Sequence, residues 1–294
     1  MNYILHIATL VSIYCILAAS LDILVGYCGL MSLAQGAFYA SGAYGAALAT
    51  VHWHVRFPIS LFVGLAAGLV CGCLLSVVTK RVRGDSFFLV TFAFQLVIGY
   101  ILTDAITLTG GSLGISGIPP VSGFSGSQAG PTEYVLLYGG IAAAILLFYK
   151  RITAGPFGRL LICVREDEVI ASNCGLNPHS IKRTAILLAA SGAAVAGALY
   201  AHYVTFIDPS SFTVSESVLV LAMIIIGGVG SVWGPIIGAT ALVCLPEAIR
   251  FIGVPSDEAG VARQIIYGIC LVVLVRFRPR GVVGNYDFGF TKPF

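Results

Sequence analysis

Charge is what this sequence has least of. Of 294 residues only 10% are Asp, Glu, Lys or Arg, while 58% are hydrophobic. A soluble domain normally carries about 25% charged residues, so a soluble fold of this length could not cover its surface. The mean hydropathy of +0.96 agrees, and the natural solvent for such a chain is lipid. Phosphate-binding and metalloprotease signatures are absent as well. No G-x-x-x-x-G-K-[ST] or H-E-x-x-H occurs, which removes the usual means of holding ATP or a catalytic zinc. No ladder of intramembrane carboxylates suggests a proton relay. The eight Cys mostly lie inside apolar runs and have no His at zinc spacing, so they read as small packing residues rather than ligands or disulfide partners. A net charge of +3 is too small to point to nucleic acid. No catalytic, cofactor-binding or metal-binding residues are expected.

What is present is a series of apolar runs. A spanning helix needs about 20 predominantly apolar residues. Candidate spans cover residues 3–24, 30–51, 58–79, 87–107, 134–149, 184–204, 217–228, 235–251 and 264–275. The fold class is therefore all-α: a polytopic transmembrane bundle of about 8–10 spans, read as one domain over residues 1–294. The first run lacks a basic leader and is expected to be retained as a helix.

Thirteen of the sixteen basic residues fall in three groups. Lys80, Arg81 and Arg83 follow the third span. Lys150, Arg151, Arg159, Arg165, Lys182 and Arg183 lie between the fifth and sixth. Arg276, Arg278, Arg280 and Lys292 follow the last. Even numbers of spans separate these groups, so all can face the cytoplasm, which places the N-terminus outside. A broken or re-entrant second segment would reverse that end.

Two loops stand out. Residues 104–133 have no Lys or Arg, are rich in Gly, Ser and Pro, and are external on this topology. Residues 151–183 form the largest cytoplasmic segment. Within it, 164–173 can form a short helix, with Gly175 as a C-cap and Pro178 discouraging continuation. Such a helix is either an ordinary solvated one or a lever that passes force from a bound partner.

Two Gly-rich segments break the apolar pattern. Residues 26–48 read GYCGLMSLAQGAFYASGAYGAAL, with Gly26, Gly29 and Gly36 beside the polar Ser32 and Gln35. Residues 227–239 read GGVGSVWGPIIGA, with Gly227, Gly228 and Gly230 before Pro235. Each admits two readings: close helix packing or a simple turn, or a broken helix lining a path. Asp22 and Glu247 are the acids nearest the membrane interior and read as structural or interfacial groups. His52 and His54 flank Trp53 at an expected membrane surface, an interfacial belt rather than a metal pair.

Taken in order, four stretches resemble one family: the LivM-type permease subunits of bacterial ABC importers for branched-chain amino acids. They are DILVGYCGLMSLAQGAFYASGAY (22–44), RGDSFFLVTFAF with TGGSLGISGIPP (83–94 and 109–120), GRLLICVREDEVIASNCGLN (158–177) and GGVGSVWGPIIGA (227–239). The resemblance implies a pathway shared with a second permease subunit as a heterodimer. It also implies two cytoplasmic ATPases, a periplasmic substrate-binding protein, and a bacterial inner membrane location. The third stretch resembles the family's coupling segment, whose motif is of the type E-A-A-x-x-x-G. Here Ala171 and Gly175 match and Glu168 stands one residue early. Arg165, Glu166, Asp167, Glu168, Ala171 and Gly175 are therefore the expected ATPase-coupling positions. Leucine, isoleucine or valine is the expected solute. Related permeases carry urea or short amides, and an ion-coupled secondary transporter is the alternative of a different class.

Overall fold

The structure is a computed structural model that describes residues 2–82, 85–121, 130–251, 268 and 282–283. Among the described residues five helices are long and apolar enough to cross a membrane: Tyr3–Tyr27, Phe57–Val78, Ser86–Asp104, Pro131–Ala154 and Pro178–Val204. The chain is thus an all-α, multi-pass membrane protein. The expected ninth span, 264–275, Cys270, Arg83 and the basic group 276–292 lie outside the described residues, and so does the Glu247 side chain.

Helix α1 (Asn2–Asp22) runs on into a widened π turn, Ile23–Tyr27. The chain then returns without helix to α2 (Gln35–Trp53). The expected span at 30–51 therefore starts about a turn later. The reason is Gly29, at φ +71, with Ser32 turned onto its own backbone. Helix α2 is not among the strongly apolar helices because it is made largely of Gly and Ala. It is also almost wholly buried, and a helix that touches protein on all sides need not be lipophilic.

Helix α3 (Phe57–Val78) shows how α2 is enclosed. Gly64, Gly68 and Gly72 form one stripe along it. A Cβ on Gly68 would lie 2.2 Å from the Ala194 Cβ, one on Gly72 2.7 Å from that of Ala190, and one on Gly64 3.0 Å from that of Ala198. All three alanines belong to α9 (Pro178–Val204). On the other side of α9, a Cβ on Gly197 would meet the Tyr39 carbonyl oxygen at 2.0 Å, and one on Gly42 the Ala194 carbonyl at 2.2 Å. Lipid gives helices no hydrophobic reason to associate, so small residues that let backbones touch hold this trio together.

Around the trio stand α4 (Asp85–Asp104), α6 (Pro131–Ala154), α10 (Val214–Gly227) and α11 (Trp233–Phe251). Helix α6 is longer than the apolar run 134–149 because Glu133 caps its start and it continues through Lys150 and Arg151, whose stems can lie along apolar surface. Helix α4 stops at Asp104, and residues to 107 belong to a separate turn, α5 (Ile106–Thr109). The segment after it is held on the bundle. Ile115–Ser116 (β1) pairs antiparallel with Phe206–Ile207 (β2), and His202 Nδ1 donates to the Pro119 carbonyl at 2.9 Å.

The two ends of the bundle differ. The start of α1 lies beside the end of α9, where His6 stacks on Tyr203 at 5.5 Å. At the opposite end Lys80, Lys182 and Arg183 line a cavity of ≈370 Å³. The positive-inside rule assigns the basic end to the cytoplasm, and on that assignment α1 begins outside. Trp53, 70% exposed, sits at the outer end of α2 and suits an interfacial belt.

The glycine stripe makes a clear prediction. Gly68→Leu should lower stability by about 1–3 kcal/mol, the usual cost of overpacking. Gly139→Leu, where a Cβ meets nothing within 4 Å, should be close to neutral. Thermal unfolding of both in the same detergent checks this; equal midpoints would contradict the packing described.

Candidate functional site

The polar groups at membrane depth gather where helices break. At the inner end of α1 the π turn leaves an irregular backbone. Cys28 N–H reaches Ile23 O at 3.1 Å and Leu30 N–H reaches Leu24 O at 2.9 Å. Asp22, 3% exposed, precedes this turn. Its Oδ1 accepts the Gly230 N–H at 2.9 Å. Gly230 lies in the second break, between α10 and α11, where Gly228 and Gly230 have φ of +115 and +73. Side chains are strained at such angles. A Cβ on Gly26 would stand 2.3 Å from Asp22 Oδ1 and 2.6 Å from Gly230 N. Gly26 is therefore what lets the two breaks meet.

The third participant comes from the segment 151–183. The single helix expected over 164–173 is in fact two: α7 (Pro156–Glu166) and α8 (Glu168–Asn173). Asp167 breaks it. Its extended backbone starts a new helix, and Oδ1 caps that helix by accepting from Val169 N at 2.7 Å and Ile170 N at 2.9 Å, a preferred capping arrangement. Gly175, at φ +83, ends α8. Its N–H bonds Ser172 O, and Leu176 N–H bonds Ala171 O, so the C-cap expected there is present.

Arg165, at the end of α7, points into the bundle. Its Nη1 donates to the Gly26 carbonyl at 2.6 Å and its Nη2 pairs with Glu166 at 2.9 Å. Its stem fills the space beside Gly29, where a Cβ would lie 2.4 Å from Arg165 Cγ. One side chain thus ties the inner segment to the first break, and Asp22 ties the first break to the second. Glu168 is engaged by Lys182 at 2.6 Å, and Ala171 is fully buried. The exposed side of α8 carries two large apolar groups, Val169 at 65% and Ile170 at 58% exposed, beside Ser172 and Asn173.

The remaining residues singled out from sequence serve the packing of α2. Ser32 Oγ accepts from Ala34 N at 3.2 Å. Gln35 Nε2 donates to Leu17 O at 3.1 Å and Ser20 Oγ at 2.6 Å. Gly36 N donates to Ser217 Oγ at 2.8 Å. A Cβ on Gly227 would lie 1.8 Å from Gly234 O, which makes it the contact point of the α10–α11 hairpin. None of these residues lines the larger outer cavity, of ≈470 Å³, which is walled by α4 and the start of α10. That cavity was missed from sequence. The available signal was Gln95, an amide in the middle of an otherwise apolar run. Among the described residues no group of His, Cys, Asp and Glu could hold a metal ion.

Spanning helices interrupted at two buried breaks, with an arginine of the segment 151–183 reaching one of them, make this a multi-pass membrane protein. The family described as "Branched-chain amino acid transport system / permease component" matches residues 3–275, and the chain belongs to it. It is 33% identical to the high-affinity branched-chain amino acid transport system permease protein LivM of Escherichia coli K12, over 94% of the chain and 69% of that protein. The LivM protein of Salmonella typhimurium is also 33% identical over the same shares. The E. coli LivH permease protein is 22% identical over 94% of the chain and 93% of that protein. No solved structure matches the chain.

Asp22 and Gly26 carry two predictions. Asp22→Ala leaves the Gly230 N–H without an acceptor and should cost about 1–3 kcal/mol. Asp22→Asn keeps an acceptor oxygen and should cost less. Gly26→Ala should destabilise at least as much as Asp22→Ala. Denaturation of the purified chain in detergent orders the three; an Asn variant as unstable as the Ala one would remove the role given to Asp22.

Proposed function

We propose that this chain is one permease of an importer that carries branched-chain aliphatic amino acids inward across a bacterial inner membrane. The reading rests on family membership and on the names of the relatives. A second permease supplies the other half of the pathway, and the joint likeness to LivM and LivH proteins supports such a pairing. Separate ATPases supply the energy, since the chain has no phosphate-binding loop. A periplasmic binding protein delivers the solute to the outer segment 104–133.

The observation that carries the mechanism is the Arg165–Gly26 hydrogen bond of 2.6 Å. On this reading an ATPase docks on α7 and α8, with Val169 and Ile170 as the apolar contact. Nucleotide-driven movement of α7 pulls on Arg165 and so on the π turn. The Asp22–Gly230 bond passes the displacement to α10, and access alternates between the two sides. Coupling by a short helix also explains why Glu168 and Ala171 face inward: they hold α8 at a fixed angle to α9.

Uptake of labelled leucine into cells lacking the chain, with and without its restoration, tests the proposal. Restored uptake supports it. Restored urea uptake without leucine uptake would reassign the solute. Val169→Asp with Ile170→Asp places charge on the exposed face alone. It should reduce leucine uptake and co-purifying ATPase about tenfold or more while leaving the chain folded. Full ATPase retention would move the docking surface elsewhere.

A further inference from the structure

The outer cavity holds two features that no packing role explains. The first is the start of α10. Residues before it, Phe206–Thr213, descend from the outer surface into the bundle. Phe212 anchors them there, with its ring edge against Tyr39 at 5.1 Å and Tyr44 at 6.0 Å. Helix α10 consequently begins inside the membrane, level with Gly36 of α2 through the Ser217 bond. Thr213 precedes it without a side-chain cap. The first N–H groups of any helix lack intrahelical partners and carry the positive end of its dipole. Val214 and Ser215, the first residues of this helix, line the cavity. Glu216 is turned to the other side, where it accepts from the Tyr14 hydroxyl at 2.5 Å.

The second feature is Gln95, halfway along α4 and only 2% exposed. Its Nε2 donates to the Phe212 carbonyl at 2.9 Å. A carbonyl can only accept, so the orientation of the amide is fixed and Oε1 is left as an acceptor. That oxygen is buried, and among the described residues no group hydrogen-bonds it. Gln95 lines the same cavity as Val214 and Ser215. A buried unpaired acceptor costs about 1–3 kcal/mol, and this one belongs to a side chain that lines the same cavity as the uncapped start of α10.

Acceptor and donors in one half-buried space suit a molecule that carries both signs. We propose that this cavity binds a zwitterionic α-amino acid in transit, its carboxylate at the Val214 and Ser215 N–H groups and its ammonium at Gln95 Oε1. Leu96, Tyr100, Pro209 and Val214 offer apolar wall to an aliphatic side chain. The cavity volume of ≈470 Å³ is ample for one such molecule. This site rests on the function proposed above and supplies its missing contact with the solute.

The test uses the whole transporter in liposomes, with both permeases, the ATPases and leucine-loaded binding protein. Gly99 lines the cavity, and a Cβ on it meets nothing within 4 Å. Gly99→Leu therefore fills the space without disturbing the fold. It should cut the maximal leucine uptake rate about tenfold or more, with the binding-protein concentration for half-maximal rate unchanged. Gln95→Leu should cut the rate about tenfold, the worth of one charge-assisted hydrogen bond. Gln95→Glu loses the bond to Phe212 but keeps an acceptor, and should stay within about threefold of the native rate. Native uptake by Gly99→Leu overturns the site. So does a Glu variant as impaired as the Leu variant, because that pattern belongs to the Phe212 tie. A native assembly that moves no leucine at all sinks the proposed function itself, an outcome distinct from either.

Discussion

A peptide group in hydrocarbon has no water to turn to, so every break in a membrane helix must find its hydrogen bonds within the protein. This constraint organises the polar chemistry of the chain. Asp22 takes the N–H of Gly230, Arg165 gives to the carbonyl of Gly26, Thr91 takes the N–H of Leu33, and Ser217 takes that of Gly36. Gln35 and Gln95 give to the carbonyls of Leu17 and Phe212. These buried side chains are matched to places where the backbone leaves the α-helix or begins one, while others such as Thr9 and Thr50 bond back onto their own helix. The polar groups are costly in lipid, and the breaks could not persist without them. Each makes the other tolerable.

The same constraint explains the glycines. A break satisfied by a side chain from another helix requires that helix to come close. Gly26 admits Asp22 and the Gly230 N–H, and Gly29 admits the Arg165 stem. Away from the breaks, the α3 stripe and Gly42 and Gly197 draw the α2–α3–α9 trio to backbone contact. Packing and breaking, which the sequence left as rival readings of 26–48, turn out to divide that segment between them. Its first part is the break, and its remainder is the packed helix α2.

Much of the fold was legible because lipid imposes it. Hydropathy located the long spans. The errors have physical causes. The start of α2 was set too early, since a run of Gly, Leu, Met and Ala is as apolar as a helix whether or not it is helical. The segment 164–173 was read as one helix because Asp167 can sit within a helix as easily as cap one. Arg165 was read as an ATPase-coupling position; only the geometry reveals that it turns inward, where Gly29 leaves room for it. Gln95 was overlooked because one amide hardly lowers the hydropathy of α4. Its meaning comes from Phe212, 117 residues away, a pairing that no local pattern encodes.

The two ends of α10 now acquire a mechanical relation. Its last residues adjoin Gly230, held by Asp22 and, through Gly26, by the arginine of the inner segment. Its first residues form a wall of the outer cavity. Fourteen residues of helix span about 21 Å, roughly two thirds of a hydrocarbon core of about 30 Å. A regular helix of that length is stiff, so a shift imposed at Gly230 must reappear at Val214. It cannot be absorbed at the inner hinge beyond what Gly228 and Gly230 allow, nor at the outer end, where Phe212 is wedged among Tyr39, Tyr44 and Tyr200. On the proposed reading this makes α10 the rod between the ATPase-facing segment and the solute. On the same reading the energy enters at the segment 151–183, whose Arg165 reaches the inner end of that rod.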